Sequence, residues 1–488
     1  MARNKITTAQ DLYNYTKCQY RVYLDSNGDP AEKGQVGPFV KLLWENGLIK
    51  EREYIATISP DKVEDLSMYL PDKAFEKTIA GMKAGQEIIY QGCLQADNNS
   101  GRPDILLKRT DGQSKFGQYY YEPIDIKAGR GWEERDGKRI KFKEHYAFQV
   151  MFYLMLVQSV QGYAPKTGRI VNIEKNIDEF DADTFDDDFR IALASVNDLV
   201  HGRTISEPVL GGGCSQCEWY EHCHDWVVKN SDPTGIYFVG SVKFHLKRVG
   251  LRTIRDIAEM DVAGYLDGKN KIPRTGVKTL ERMKERARVI LSGQPNIRPG
   301  YTFPAVAREI YFDIEDDPTR GITYLFGMLI RQSGKETHKY FVADRPEDEE
   351  QTARKFWDFI SKTDDAVYYV YSHKERSTLK QLMARYRLDS AVFDKYVESE
   401  FDLYKGLVEA YSDWPIHSYG LKHIAAQIGF KWRDSDPSGA NSIAWYNEYL
   451  KDPADQSKMQ RIIDYNEDDC RAMIALKDYF QKAQQKNK

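Results

Sequence analysis

The spacing of four of the six cysteines restricts the folds that this chain can adopt. Cys214, Cys217 and Cys223 follow a C-x2-C-x5-C spacing, and Cys18 stands alone near the N-terminus. Clustered thiolates bind zinc and iron–sulfur clusters alike. The chain starts without the apolar stretch of a secretion signal, which disfavours a disulfide framework. We therefore expect a cytoplasmic protein in which the clustered thiols bind a metal or an iron–sulfur cluster.

The charge of the chain is unevenly distributed. At 488 residues and a net charge of −4, the chain is long enough for about two to four domains. Residues 241–290 hold 13 Lys/Arg and 6 Asp/Glu, a local charge of +7, so the rest carries −4 − 7 = −11. A basic segment supplies affinity for phosphates; the alternative is a set of solvated helices. The longest apolar run, 148–160, is too short for a membrane span, and we expect no membrane association.

Two carboxylates and a lysine in the first half suggest a hydrolytic site. Asp104 in GRPD and Asp125 in YYEPIDI fall on two predicted strands, 103–107 and 119–126, which a polar turn joins into a hairpin. Lys127 follows Asp125 by two residues and shares its strand face. Gln149 and Tyr153 share one face of a helix predicted over 144–160. Carboxylates that hold a divalent metal, with a lysine that orients water, can cut a phosphodiester.

A second set of acids lies in the last third of the chain. Asp313 and Glu315 in REIYFDIEDDP share one face of a predicted strand. Tyr465 and Asp469 in YNEDD lie four residues apart on a predicted helix and share one face. Glu375, just after a third strand, is the best candidate for a further acid of this site. Asp402 is a second candidate acid, and His373 is more simply a polar loop residue.

The segment between these regions has a different character. From about 235 to 295 it shows two short helical patterns with glycine turns, LKRVGLRTIRDI and TGVKTLERM. These turns resemble helix-hairpin-helix modules, which present backbone amides to DNA phosphates. The alternative is a helical linker whose helices end at glycine. The local charge of +7 favours DNA binding, and QPNIRPGYTF at 294–303 indicates a domain boundary.

The ordered motifs of the first half resemble the iron–sulfur branch of the RecB-type PD-(D/E)XK nucleases. The family motifs GxxD, (D/E)xK and QxxxY match Asp104, Asp125 with Lys127, and Gln149 with Tyr153. This resemblance implies metal ligation by the two aspartates. It also implies a [4Fe–4S] cluster, with zinc as the alternative, on the four cysteines Cys18, Cys214, Cys217 and Cys223.

One family feature is missing from the first half. Family members often carry a histidine in an earlier helix, and residues 39–55 contain none. Glu51 is the expected replacement as an oxygen ligand, with Glu53 as the alternative. Oxygen ligands favour Mg²⁺ or Mn²⁺ at this site.

The acids of the last third resemble the DEDDy exonucleases of the RNase H-like fold. In that family D-x-E opens on the first strand and Y-x3-D closes on the last helix, as at Asp313, Glu315, Tyr465 and Asp469. The resemblance covers about 307–482, and a helix predicted from SYGLKHIAAQIGF supports it. It implies that Asp313, Glu315, Glu375 and Asp469 hold two metal ions and that Tyr465 orients the attacking water. The middle acid of the family is usually an aspartate.

Together these segments resemble a RecB-like nuclease family that fuses the two catalytic domains. The resemblance implies an α/β multidomain fold with an Fe–S PD-(D/E)XK, restriction-endonuclease-like domain at 1–230, a helical helix-hairpin-helix-like region at 231–296 and an RNase H-like DEDDy exonuclease domain at 297–488. We expect a Mg²⁺- or Mn²⁺-dependent exonuclease for single-stranded or end-containing DNA, in repair, recombination or defence. A ribonuclease and a catalytically decayed nucleic-acid-binding scaffold are the alternatives. The sequence does not identify a protein partner.

Overall fold

The computed structural model describes residues 5–135 and 138–486. The chain divides into two compact units. The first comprises Met1–Val36, Val40–Val209 and Gly213–Cys223, and the second comprises Gly37–Phe39, Leu210–Gly212 and His224–Lys488. The predicted mixed α/β multidomain character is confirmed. No helix in the described ranges is both long and apolar enough to cross a membrane.

The helices before residue 230 include one that the sequence predicts. Thr8 caps the first helix and forms a capping box with Asp11. The predicted helix over 144–160 is found at Glu144–Gln161. The bounds are α1 (Ala9–Lys17), α2 (Gln19–Asn27), α3 (Pro38–Ile55), α4 (Pro71–Ala84), α5 (Glu144–Gln161), α6 (Asp186–Val200) and α7 (Tyr220–Lys229).

The strands of the first unit form a six-stranded sheet and two smaller sheets. Their bounds are β1 (Thr7–Thr8), β2 (Val63–Asp65), β3 (Ile88–Tyr90), β4 (Leu94–Ala96), β5 (Asn99–Gly101), β6 (Ile105–Arg109), β7 (Tyr120–Ile126), β8 (Trp132–Arg135), β9 (Lys138–Phe142), β10 (Thr167–Val171) and β11 (Ile177–Asp181). The large sheet has the order β11-β10-β7-β6-β3-β2. The predicted hairpin is confirmed, because β6 and β7 pair antiparallel. Helix α5, with buried residues on every side, packs against this sheet in the core of the unit.

The second unit begins with short helices and continues as a sheet covered by longer ones. Its helices are α8 (Lys243–Arg248), α9 (Ile254–Glu259), α10 (Val277–Ser292), α11 (Glu349–Ser361), α12 (Lys374–Tyr386), α13 (Ser390–Ser399), α14 (Leu421–Gln427), α15 (Gly439–Lys451) and α16 (Ser457–Lys486). Its strands are β12 (Asn296–Ile297), β13 (Arg308–Asp317), β14 (Ile322–Gln332), β15 (Lys335–Val342), β16 (Ala366–Val370), β17 (Glu400–Asp402) and β18 (Ser412–Asp413).

The main sheet of the second unit has the order β15-β14-β13-β16-β17. Strands β13, β14 and β15 pair antiparallel, whereas β16 pairs parallel with β13 and with β17. Strand β13 is therefore central, and its apolar residues Ile310, Phe312 and Ile314 are buried among aromatic side chains. A central strand with both neighbours in place is a rigid support for side chains that must keep a fixed geometry.

The predicted segment 231–296 lies in the second unit. Gly250 adopts a φ of +93°, which favours glycine, at the turn between α8 and α9. The predicted division of the chain at 1–230, 231–296 and 297–488 stays a prediction. One ion-pair cluster joins both sides of residue 296, because Arg282 and Arg286 of α10 contact Asp413 of β18.

Candidate functional site

Three carboxylates of the second unit converge. Asp313 and Glu315 lie on β13, and Asp469 lies on α16. One carboxylate oxygen from each lies within 4.8 Å of the other two, which makes this the one such group of acids, cysteines or histidines in the part of the chain that the structure describes. Carboxylate oxygens this close together suit a hard divalent cation such as Mg²⁺ or Mn²⁺.

Strand geometry places the first two acids. Residues two apart on a strand project to the same face, so Asp313 and Glu315 both face α16. Glu315 is buried and Asp313 is partly exposed. The pairing of β13 with β14 shifts register directly after Glu315. Such irregularities twist a strand locally and help to aim side chains next to a site.

Gly327 makes room for the residue that orients Asp313. It pairs with Asp313 across β13 and β14. A β-carbon at Gly327 would lie 1.5 Å from Oδ1 of Asn466, which no non-bonded contact tolerates. The amide of Asn466 donates a hydrogen bond to Oδ2 of Asp313 over 2.8 Å. The glycine is thus required for the close approach that fixes the carboxylate.

We expect Gly327→Ala to weaken both the fold and the site. The new methyl group must displace Asn466, and overpacking of this kind costs about 1–3 kcal/mol of unfolding free energy. Thermal unfolding of the full chain measures this loss. The matched control is Gly439→Ala, because a β-carbon at Gly439 meets no atom within 4 Å. Equal melting temperatures for the two variants would contradict this account.

Helix α16 supplies a tyrosine and an aspartate on one face. Tyr465 and Asp469 lie one turn apart, and Tyr465 is buried. The ammonium of Lys422 donates to the Tyr465 hydroxyl over 2.6 Å and lies 3.8 Å from Oδ2 of Asp469. The indole N–H of Trp432 donates to Oδ1 of Asp469 over 2.7 Å. Both groups of the motif are therefore held by side chains from outside the helix.

Burial and mutual repulsion change the acidity of the cluster. Burial first, and then Glu315, Asp469 and Glu375, raise the pKa of Asp313 well above its usual value. Burial and Asp469 raise the pKa of Glu315 to about 8. Raised carboxyl pKa values indicate that negative charge is concentrated here without enough positive charge to offset it. A bound divalent cation would supply that charge.

Glu375 lies near this cluster, outside the group of three carboxylates whose oxygens lie within 4.8 Å of one another. It lies in the first turn of α12, is 4 % exposed, and is close enough to raise the pKa of Asp313. Burial above all raises its own pKa to about 8. Its Oε2 atom is buried without a hydrogen-bond partner among the described residues. A buried carboxylate oxygen without a hydrogen-bond partner lowers the free energy of unfolding, and coordination of a cation would offset that loss.

The other candidates near Glu375 have different surroundings. Asp402 ends β17 and accepts hydrogen bonds from the backbone N–H groups of Tyr404 and Lys405, at 2.9 and 3.1 Å. It thus has partners of its own in the backbone turn. His373 is exposed, and its carbonyl accepts a hydrogen bond from Ser377. These contacts favour Glu375 as the fourth acid.

We expect Glu375→Gln to lower metal-dependent cleavage about a hundredfold or more, because it removes a charged ligand. Asp402→Asn should keep its turn hydrogen bonds and lose far less activity. Cleavage rates of the two variants test this ranking when they are measured side by side with single-stranded DNA and Mn²⁺, in a Lys127→Met background that removes the contribution of the other predicted site. A larger loss in Asp402→Asn would assign the fourth ligand to Asp402 instead.

Comparison with known families supports this part of the chain. Residues 310–481 match the model of the RNase H superfamily. The predicted RNase H-like domain is therefore confirmed, and Asp313, Glu315, Glu375 and Asp469 all fall within the matched residues. The match indicates a nuclease-like fold. No curated protein matches the chain.

The first unit brings together the residues of the other predicted site. Asp104 directly precedes β6, and Asp125 lies on the adjacent β7. The backbone N–H of Ile126 donates to Oδ2 of Asp104 over 2.7 Å. The ammonium of Lys127 lies 2.7 Å from Oδ2 of Asp125 and donates to Oε1 of Gln149 over 2.8 Å. Residues of three sequence motifs thus share one hydrogen-bonded cluster.

Glu51 and Tyr153 lie beside the same cluster. The Gln91 amide donates to Oε1 of Glu51 over 2.5 Å and to Oδ1 of Asp104 over 2.8 Å, so it lies between the two carboxylates. Burial, Asp125 and then Glu51 raise the pKa of Asp104 well above its usual value. Burial and the same carboxylates raise the pKa of Tyr153. Glu53, the alternative ligand, instead pairs with Lys50 at 3.0 Å.

The four predicted cysteine ligands all lie in the first unit. Cys18, Cys217 and Cys223 pack around one aromatic and aliphatic cluster that includes Tyr20, Leu24 and Trp219. The Cys214 thiol donates to the carbonyl of Val209 over 3.7 Å. Thiolates are ligands of iron–sulfur clusters and of zinc, but no three of these thiols lie within 4.8 Å of one another.

Sequence reasoning gave no role to three residues that support the acid cluster. Asn466 lies between Tyr465 and Asp469 in the motif, and Lys422 lies in the segment SYGLKHIAAQIGF. Trp432 lies in a loop after α14. The position of Lys422 inside a recognised motif was an available signal. Nothing local in the sequence distinguishes Trp432 from other tryptophans.

Proposed function

We propose that this protein is a metal-dependent nuclease that hydrolyses phosphodiester bonds of DNA at the acid cluster of the second unit. The observation that carries this proposal is the convergence of Asp313, Glu315 and Asp469 within residues that match the RNase H superfamily. Buried like charges cost stability unless a cation or a function requires them. The cost of this cluster argues against a scaffold that has lost its activity.

The ligands of the cations would be the four acids Asp313, Glu315, Glu375 and Asp469. The unpaired Oε2 of Glu375 and the raised carboxyl pKa values support this donor set. When bound, Mg²⁺ or Mn²⁺ ions lower the pKa of a ligated water and stabilise charge on the phosphate and the leaving oxygen. Hard oxygen donors favour these ions over softer ones.

The remaining side chains of the site position the reacting groups. Lys422 holds the Tyr465 hydroxyl, which can then accept or donate a hydrogen bond to the attacking water. Asn466 fixes the carboxylate of Asp313, and Trp432 fixes that of Asp469. These contacts hold the water and the ligands in one arrangement before the substrate arrives, which is the source of most catalytic benefit in such sites.

We infer an exonucleolytic action on single-stranded or end-containing DNA from the DEDDy motif order. The basic segment 241–290 supports nucleic-acid binding through its +7 charge. Helices α8 and α9, joined by the turn at Gly250, fit the proposal of a helix-hairpin-helix module that contacts phosphates. A preference for RNA would require recognition of the 2′-hydroxyl.

We propose a second nuclease site of the PD-(D/E)XK type in the first unit. Asp104, Asp125 and Glu51 would ligate the cation after a shift of their side chains, because their carboxylate oxygens do not all lie within 4.8 Å of one another. Lys127 would orient water or stabilise the developing phosphate charge. The ion pair between Lys127 and Asp125 and the hydrogen bond from Lys127 to Gln149 support these roles. Tyr153, buried beside both aspartates, would complete the site.

We further propose that Cys18, Cys214, Cys217 and Cys223 bind a [4Fe–4S] cluster, with zinc as the alternative. The packing of three of these thiols around Trp219 supports a shared ligand. The role would be structural, because the ligand would link α1 and α2 to the end of the first unit.

Cys223→Ser should remove the bound metal and lower the melting temperature of the first unit, because metal binding contributes to folding. Metal analysis and visible absorption of anaerobically purified protein measure the loss. Cys93→Ser is the control, because Cys93 lies outside the group of four and should leave the metal content unchanged. Zinc in place of iron in the wild type would select the alternative, and a metal-free wild type would overturn the proposal.

The nuclease proposal is tested with end-labelled single-stranded DNA, single-stranded RNA and duplex DNA. We expect a ladder of shortened DNA products with Mg²⁺ or Mn²⁺ and none with EDTA. The end that carries the label defines the polarity of digestion. Cleavage of RNA alone would replace the DNA assignment. Intact substrates under every metal condition would contradict the proposal.

A further inference from the structure

An open pocket of about 520 Å³ lies in the second unit, and none of the four acids is among its lining residues. Its lining includes Tyr237, Phe238, Lys278, Arg282 and Arg286. Aromatic rings and cations from two parts of the chain thus surround one space. The volume suits a ligand of about the size of one nucleotide.

Phe238 is the most unusual residue of this lining. Its ring is 68 % exposed, although a phenylalanine gains most from burial. Its backbone adopts a φ of +71°, a conformation that favours glycine and is costly for a bulky side chain. The Phe238 ring contacts that of Tyr237, with centroids 4.5 Å apart, but most of its surface stays exposed. An exposed aromatic ring held by a strained backbone points to a binding role.

The neighbouring ring is already covered. Tyr237 stacks on Tyr419 with ring centroids 3.9 Å apart, and the Arg286 guanidinium lies 5.0 Å from the Tyr237 ring. The Tyr237 hydroxyl forms a hydrogen bond of 2.5 Å with the hydroxyl of Tyr404, which lies two residues after Asp402. Tyr237 is therefore a fixed wall of the pocket, and Phe238 presents the ring that remains available.

One side of the pocket carries more positive than negative charge. Three guanidiniums, Arg282, Arg286 and Arg298, contact the one buried carboxylate of Asp413, at 2.7, 3.1 and 2.5 Å. Burial, Arg298 and Arg286 outweigh Asp413 and lower the pKa of Arg282. Glu409 lines the pocket and offsets part of this excess. Lys278 is exposed and has no ion-pair partner among the described residues.

We propose that this pocket binds one unpaired nucleotide of a single-stranded nucleic acid, with its base stacked on Phe238 and its phosphate near Lys278 and Arg282. Aromatic stacking combined with cations along the backbone is how proteins hold single strands without sequence preference. Duplex bases are stacked inside the helix and are not available to Phe238. This inference rests on the proposed nuclease function and defines where the strand is held outside the catalytic cluster.

Phe238→Gly tests the pocket, because it removes the ring and relieves the strained backbone. The test measures binding of fluorescent oligothymidylate, oligouridylate and duplex DNA to the full chain in EDTA, by fluorescence anisotropy. We expect the affinity for both single strands to fall about tenfold, with duplex binding nearly unchanged. The melting temperature should not fall, which separates lost stacking from misfolding.

Matched controls come from the same unit. Tyr340→Ala removes another exposed aromatic ring, from β15, and should leave single-strand binding unchanged. Lys278→Ala should reduce the slope of log affinity for single strands against log salt concentration by about one, which corresponds to the loss of one phosphate contact. Lys335→Ala should leave this slope unchanged.

The outcomes separate this inference from the proposed function. Unchanged single-strand affinity in Phe238→Gly would contradict nucleotide binding in this pocket. If the wild type still cleaved nucleic acid, that result would leave the nuclease proposal unaffected. A loss with only one of the two single strands would identify that nucleic acid as the ligand. A wild type that neither binds single strands nor cleaves any nucleic acid would overturn both proposals.

Discussion

Asp313→Asn should abolish cleavage by the second unit, lowering kcat at least about a thousandfold. The change keeps the shape of the side chain and an oxygen that can accept the hydrogen bond from Asn466. It removes the charge that a divalent cation requires from its central ligand. Product ladders from end-labelled single strands with Mn²⁺, in a Lys127→Met background that removes cleavage by the first unit, measure the effect.

The same substitution should raise the melting temperature of the metal-free protein. Asp313 has a raised pKa because burial and the other carboxylates disfavour its charged form. When the pKa of a carboxyl group is raised in the folded state, its ionisation destabilises the fold once the pH exceeds the ordinary carboxyl pKa. Asparagine does not ionise, so it removes a destabilisation that the wild type has at neutral pH but not in acid. The gain should therefore grow from about pH 4 toward neutral pH.

Asp316→Asn is the matched control for this experiment. Asp316 lies on the same strand, but its carboxylate pairs with Lys374 at 2.7 Å at the surface. We expect little change in either activity or melting temperature, because exposed ion pairs contribute little. Equal losses of activity in Asp313→Asn and Asp316→Asn would contradict the assignment of the acid cluster.

Lys127→Met should abolish cleavage by the first unit, with a loss of about a hundredfold or more. The effect is cleanest in an Asp313→Asn background, where any remaining product ladder comes from the first unit. The ammonium of Lys127 contacts both Asp125 and Gln149, so no other cation replaces it at the same position. A ladder unchanged by Lys127→Met would remove Lys127 from the reaction.

Stability must be separated from chemistry in this variant. Asp125 is 3 % exposed, and breaking a buried ion pair costs about 3–5 kcal/mol. Lys127→Arg keeps a cation beside Asp125 and should stay folded, yet should lose activity because a guanidinium holds its donors differently. Lys141→Met on β9 removes an exposed lysine and should leave both properties unchanged.

The sequence predicted those features of the fold that depend on local patterns. Alternation on β13 placed Asp313 and Glu315 on one face, and the helix predicted over 144–160 is found at Glu144–Gln161. The motif order also led to the RNase H-like domain, which the family match confirms. These features are encoded within a few residues of chain, so a single sequence is enough to detect them.

Features that join distant segments could not be predicted in the same way. The need for glycine at 327 arises only when Asn466, from α16, approaches β14. The cluster of three arginines depends on Asp413, a single acid in a very short strand. Neither contact leaves a periodic or compositional signal, because each depends on how distant elements pack.

Anomalous diffraction from Mn²⁺-soaked crystals of the full chain would test the central claim most directly. The account predicts an anomalous peak bonded to oxygens of Asp313 and Glu315, with Asp469 beside it, and no such peak in Asp313→Asn crystals. The Asp316→Asn protein should retain the peak. A wild-type protein that cleaves DNA with Mn²⁺, yet shows no peak at these carboxylates, would contradict the account.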